Sequence, residues 1–382
     1  MLLEILLCLP ILSFAADSAA VVQVDQDPDA RQPQVAIDSK HRVYVAYAAG
    51  TEIRCATSLD GGVTFGAPVA VARVPKLALG MRRGPRIAAT KDAVVITAVI
   101  RAENEQELAA AKALKKYESA TGTLVAWQST DQGKTWTGPT TLNTVPNSAR
   151  EGLHALTARP DGTFFCAWLD LRLGTMSLFG ARSVDDGKTW EPDHELHRSP
   201  EKAICTCCHP SLSFAPNGDL LLMWRDDLKG ARDMYLRRSK DAGTTFEPAQ
   251  KLGKRTWIYG QCPMDGGAIA VEPDGRITTG WMRAGEVYLA SPGVNAEEPV
   301  GAGVQPWVTA TPKGVAAVWL AKRPGPLTAL LPGQAATVTL SPAANDPVVA
   351  SAPGAELPVI AAWESSTETA KGISLQVLVP SR

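Results

Sequence analysis

Apolar and polar residues alternate along this chain in short runs broken by turn residues, a period-two pattern that predicts strands rather than helices. Ser211 to Leu252 shows the unit most cleanly. A strand at Ser211–Phe214 meets a turn at Pro216-Asn217-Gly218, and a second strand runs over Leu220–Trp224. A polar loop leads to a third strand at Met234–Arg238, and a tight turn leads to a short fourth strand ending near Leu252. Four such strands in sequence make an antiparallel meander. The opening turn recurs as Pro160-Asp161-Gly162, Pro273-Asp274-Gly275 and Pro312-Lys313-Gly314. A strand bearing Trp168, Trp281 or Trp319 follows each of these turns, and Trp363 holds the same place in the last unit. First strands fall near residues 34, 86, 154, 211, 268, 307 and 347. The expected fold is all-β, a propeller of four-stranded antiparallel blades, seven in preference to six. The last unit is one strand short, and Val21–Val24 can supply it.

A second repeat sits on the turn between third and fourth strands. Ser58 to Phe65, Ser129 to Trp136, Ser183 to Trp190 and Ser239 to Phe246 all read S-x-D-x-G-x-T-W/F. The aspartate accepts backbone N–H groups within the turn, and the glycine takes a backbone angle other residues resist. The copies begin 71, 54 and 56 residues apart. A helix-favouring run of Ala, Leu, Glu and Lys at about 103–119 accounts for the longer first spacing, as an insertion between strands.

Composition agrees with many short strands, since 32 glycines and 28 prolines punctuate 382 residues. Lys plus Arg (38) balances Asp plus Glu (39), so no basic field marks a nucleic-acid partner. The apolar run Ile5–Ala16, followed by small residues, reads as a signal peptide over 1–20, which makes the protein periplasmic or secreted. Residues 21–382 then form one propeller domain. No other run approaches the roughly 18 apolar residues a membrane span needs.

The four S-x-D-x-G-x-T-W/F turns resemble the Asp boxes of the sialidase superfamily. A central block is similar to a bacterial group labelled sialidase-like or glycosyl-hydrolase-like. It comprises Arg150-Glu151-Gly152-Leu153-His154, Trp168 to Arg172, Cys205 to Pro210, Trp224-Arg225, Arg232-Asp233, Trp257 and Cys262 to Gly267. The resemblance implies a propeller and, in the active members, three arginines that grip a sugar carboxylate, a tyrosine–glutamate nucleophile and an aspartate acid/base. Arg31-Gln32-Pro33 matches the R-x-P form of the first arginine motif. Tyr259 is the one tyrosine in a suitable inter-blade loop, and it stands outside a recognised nucleophile motif. Asp boxes also occur on propellers without catalysis.

Meander topology sorts the remaining residues by face. The Asp boxes and Pro-x-Gly turns share a lower face, and the second-to-third-strand loops and blade connections share an upper one. Upper-face candidates for binding a glycan or other carboxylate-bearing ligand are Arg31, Arg86, Arg150, Arg172, Arg225 and Arg232. Glu151, Asp170 and Asp265 are the candidate acid and base groups, with interblade ion pairing as the alternative role. Two readings follow: a sialidase-like glycosidase acting on an acidic glycan, or a propeller that binds glycan or protein without turnover. Nothing in the pattern calls for a cofactor. Cys55 and Cys166 lie inside strands as small apolar residues. Cys205, Cys207, Cys208 and Cys262 fall on neighbouring upper-face connections, where disulfides are the first reading and a metal site with His209 or Met264 the second.

Overall fold

The computed structural model describes residues 20–101, 121–201, 204–294, 297, 299–334, 336–367 and 370–379. The export segment, Ala20 apart, and the insertion at 103–119 lie outside the described residues. The described chain is β throughout, its one helical element being a 3-10 turn at Pro353–Ala355. Among those residues, no helix is long and apolar enough to cross a membrane.

The strands form consecutive antiparallel meanders. The first holds β2 (Ala30–Ile37), β3 (Val43–Ala49), β4 (Glu52–Ser58) and β5 (Val69–Arg73). The second holds β6 (Arg86–Ala89), β7 (Val94–Arg101), β8 (Thr121–Ser129) and β9 (Thr137–Thr141). Next come β10 (Ala149–Ala158), β11 (Phe164–Asp170), β12 (Ser177–Ser183) and β13 (His194–Arg198). They are followed by β14 (Ser211–Phe214), β15 (Leu220–Arg225), β16 (Met234–Ser239) and β17 (Gln250–Lys251). Then come β18 (Gly267–Val271), β19 (Ile277–Arg283), β20 (Glu286–Ala290) and β21 (Pro299–Ala302). The remainder is one larger sheet of β22 (Val304–Thr311), β23 (Gly314–Leu320), β24 (Gly325–Leu330), β25 (Val338–Ala352), β26 (Glu356–Ser366), β27 (Lys371–Val379) and β1 (Val22–Asp25).

Within that sheet the long β25 serves two neighbours. Val338 to Ala344 pairs with β24, and Ala344 to Ala352 pairs with β26, with a register shift between Asn345 and Val348. At the far edge β1 pairs with β27, Val22 opposite Leu375, so the beginning of the described chain lies against its end. The first strands touch in rotation: β2 with β6, β6 with β10, β10 with β14, β14 with β18, β18 with β22, β22 with β25, and β25 with β2.

Second strands carry the bulk of the core. Trp168, Trp224, Trp319 and Trp363 are all fully buried, packed between neighbouring meanders. Truncating any one costs roughly 3–5 kcal/mol by the usual cavity accounting. Cys55 and Cys166 are buried among these apolar side chains.

The Asp boxes fold as their residue types dictate. In the first, Asp60 Oδ1 accepts the N–H groups of Val63 (3.1 Å) and Thr64 (2.9 Å), and Ser58 Oγ accepts that of Gly62 (2.8 Å). Asp131, Asp185 and Asp241 repeat the arrangement. Each box glycine also presses on the meander before it. A Cβ at Gly133 would stand 2.9 Å from Thr57 Oγ1, at Gly187 2.3 Å from Val95, and at Gly243 2.1 Å from Phe165. At Gly62 the neighbour is Ile360 on β26, so the first box packs on the last meander.

Candidate functional site

The upper end is built where the first strands begin. Gln32, Arg82, Glu151, Met264, Gln305 and Asp346 stand there with positive φ, each turning the chain into a first strand. Their groups interlock. Asp346 Oδ1 accepts from Arg82 N (3.1 Å) and Gln305 Nε2 (3.0 Å), and its Oδ2 accepts from Arg323 Nη2 (2.9 Å). Asp265 Oδ2 accepts from Gln305 N at 2.6 Å, and Glu364 Oε1 from Gln32 N at 2.7 Å. Arg82 is buried; it donates to the Gln305 and Pro347 carbonyls and lies over the Trp307 ring. Burial pushes the Asp265 carboxyl above its ordinary value. It pushes Glu364 up to about 7, with Asp346 adding to the effect. Asp265 Oδ1, Gln305 Oε1 and Gln32 Oε1 are buried without a hydrogen-bond partner among the described residues.

This end is where the sequence placed the candidate arginines and acids, and the structure gives most of them partners. Arg86 is buried and aims its guanidinium at the main-chain carbonyls of Arg82, Pro85 and His154. Desolvation lowers its pKa to about 10. Arg225 is 1% exposed and donates to the carbonyls of Asp265, Arg232 and Met282. Asp170 is 0% exposed; it accepts from Ser148 Oγ (2.7 Å), Trp168 Nε1 (2.8 Å) and three N–H groups of Arg172. Arg172 also pairs with Asp193 and lies over Phe179. These four residues fasten strands to one another. The guanidiniums of Arg86 and Arg225 cannot reach a carboxylate ligand without giving up buried carbonyls.

Glu151 differs. Arg83 and Arg150 clamp it from two sides, the latter at 2.9 Å, and its side chain is 14% exposed. Arg31 is exposed, and no hydrogen bond or ion pair holds it among the described residues. Arg232 pairs with Asp227 at 2.9 Å and donates to Cys205 Sγ at 3.4 Å. Its neighbour is the connection between β17 and β18, where Tyr259 lies. Arg232 N donates to Trp257 O (2.7 Å) and Tyr259 N to Gly230 O (3.0 Å). The Trp257 and Tyr259 rings stack at 4.6 Å, with Ile258 68% exposed between them.

The cysteines of this end are not disulfide-bonded. Sγ of Cys205 is 3.5 Å from that of Cys207 and 3.4 Å from that of Cys208, against about 2.05 Å for an S–S bond. All three are buried, while Cys262 is exposed. Hydrogen bonding with Cys207 and then Cys208 holds the Cys205 thiol well below its ordinary value, and Arg232 adds to this. His209 stacks on Trp307, and burial keeps its ring neutral.

A cavity of about 690 Å³ opens at the opposite, Asp-box end, walled by Ser213, Asn217, Thr309 and Ser351 among others. Among the described residues no unpartnered buried polar atom lines it.

Residues 110–256, a span holding three of the four boxes, match the family described as BNR repeat-like domain. No curated protein matches the chain by sequence. Solved structures share its fold at low identity. A Penicillium chrysogenum α-L-arabinanase complexed with arabinobiose is 14% identical over 95% of this chain and 98% of its own, with a TM-score of 0.57. The Hadza microbial sialidase Hz136 is 14% identical over 93% and 66%, with a TM-score of 0.54. YCF48 bound to D1 peptide is 14% identical over 96% of both chains, with a TM-score of 0.52. With the meanders above, these likenesses give the chain a β-propeller fold.

Sequence reasoning assigned no role to Gln32, Gln305 and Asp346 among the interlocking residues of the upper end. Their signal was present: Gln32-Pro33, Gln305-Pro306 and Asp346-Pro347 open three first strands alike, and His209-Pro210 precedes a fourth. Asp193 and Glu364, the buried partners of Arg172 and Gln32, have no such pattern around them.

Proposed function

We propose that this chain is an exported, single-domain propeller of seven blades that binds a glycan on its upper rim and does not cleave it. The rotation of first strands from β2 through β25 and back to β2, with β1 completing the last meander, supports the blade count. The apolar segment at Ile5–Ala16 supports export. The observation that carries the absence of cleavage is the burial of the other two candidate acids: Asp170 is 0% exposed and saturated with donors, and Asp265 is 2% exposed, so neither faces solvent beside Glu151. Most glycosidases need two carboxyl groups facing the scissile bond, and the tyrosine–glutamate scheme of active sialidases still needs an aspartate acid/base beside it.

The stacked Trp257 and Tyr259 offer flat apolar rings with polar tips, a surface suited to sugar faces. Arg31 and the Arg83–Glu151–Arg150 cluster provide charged groups for polar substituents. Names among the structural neighbours, an arabinanase and a sialidase, agree with a glycan; YCF48 bound to a peptide shows the fold serving a binding role. The test is calorimetric titration of residues 21–382 with acidic and neutral oligosaccharides. Binding that falls at least tenfold in Trp257→Ala, with the fold intact, supports the reading. Equal binding by wild type and variant, or none by either, rejects it.

A further inference from the structure

The Cys205, Cys207 and Cys208 thiols form a compact group that the glycan reading does not use. Their sulfurs lie 3.4, 3.5 and 4.0 Å apart and are buried, in one loop between β13 and β14. A triangle with these sides has its centre about 2.1 Å from each corner, close to the metal–thiolate distance of about 2.3 Å. Met264 packs against the group from the connection before β18. No imidazole or carboxylate belongs to it among the described residues. Arg232 places a guanidinium 3.4 Å from Cys205 Sγ, where thiolate charge would be offset.

We propose that Cys205, Cys207 and Cys208 bind one Cu(I) ion as thiolates, with the Met264 thioether on its open side. Thiolate and thioether donors select soft ions. A three-sulfur site suits Cu(I), which accepts trigonal coordination, whereas Zn(II) in a closed site takes a fourth Cys, His or carboxylate ligand. Binding displaces the remaining thiol protons to solvent and changes no oxidation state, the metal arriving as Cu(I). The ion would tie the loop before β14 to the connection before β18 through Met264.

The test uses residues 21–382, reduced and kept anaerobic, titrated with Cu(I) held by a chromogenic chelator. One Cu(I) per chain is expected, with affinity lowered roughly 100-fold or more in Cys207→Ser and Cys208→Ser and unchanged in Cys262→Ser. Alkylation of the wild-type protein followed by peptide mass mapping avoids dependence on variants that fail to fold. Cu(I) should protect Cys205, Cys207 and Cys208 and leave Cys262 labelled. Identical labelling with and without Cu(I), or Zn(II) displacing Cu(I) from the protein, would overturn the assignment.

Discussion

Arg172 folds back on Asp170, two residues earlier, placing Nε 3.0 Å from one carboxylate oxygen and Nη2 2.9 Å from the other. Strand β11 ends in this clasp, and the same carboxylate takes the Ser148 hydroxyl and the Trp168 indole. A carboxylate so enclosed has no access to solvent. Removing its charge leaves Arg172 with Asp193 as its one charged partner among the described residues, and leaves one oxygen to serve the donors that two now share. Asp170→Asn should therefore lower the unfolding free energy by about 3–5 kcal/mol. Denaturant melts check this; an Asp170→Asn protein of undiminished stability would mean the clasp is not structural.

The Asp boxes predict an acid limit. The Thr64 hydroxyl first, then its backbone N–H, draw the Asp60 carboxyl down to about 2, and Asp131 and Asp241 are lowered likewise. An unfolded aspartate titrates near 3.9. Folding thus releases protons from these groups, and their contribution is complete above about pH 4 and lost as pH falls towards 2. Asp185→Ala should cost about 1–2 kcal/mol through the lost turn bonds, as for a removed cap. Thermal melts between pH 2 and 5 should show the loss beginning below pH 4.

Glu364 acts in the opposite sense. Burial raises its pKa to about 7, above the 4.3 or so of an unfolded glutamate. The folded chain therefore holds the proton more tightly, and stability declines as pH rises from about 4.5 to about 7, then levels. Glu364→Gln keeps an acceptor for Gln32 N and removes the titration. Its melting temperature should be flatter than wild type from pH 5 to 7; parallel profiles would show that Glu364 ionises normally.

Gly243 should tolerate no side chain. Its φ is +97°, and an added Cβ would stand 2.1 Å from Phe165, which is itself fully buried. Gly243→Ala should destabilise by roughly 1–3 kcal/mol. Gly174→Ala, with φ +70° and nothing near its Cβ, separates backbone strain from the clash. Equal losses in the two variants would mean the box does not press on its neighbour.

Much of the architecture was legible because it repeats. The S-x-D-x-G-x-T-W/F turns, the Pro-x-Gly hairpins and the second-strand tryptophans are local patterns, and the strands begin where the patterns place them. The use of each arginine was not legible. Arg86 and Arg31 look alike in sequence, yet one is sealed among carbonyls and the other exposed. That difference depends on which carbonyls converge around the guanidinium, from Arg82 just before it and from His154 on the next meander's first strand. The thiol cluster was visible as C-x-C-C, but the distances among its sulfurs came only with coordinates.

The central claim is a rim that holds sugar without cutting it. Release of a fluorogenic aglycone from α-sialosides and α-L-arabinofuranosides, assayed on protein already shown to bind an oligosaccharide, tests it most directly. The account predicts no release above the buffer blank. Turnover by the wild type that disappears in a folded Glu151→Gln variant would contradict it.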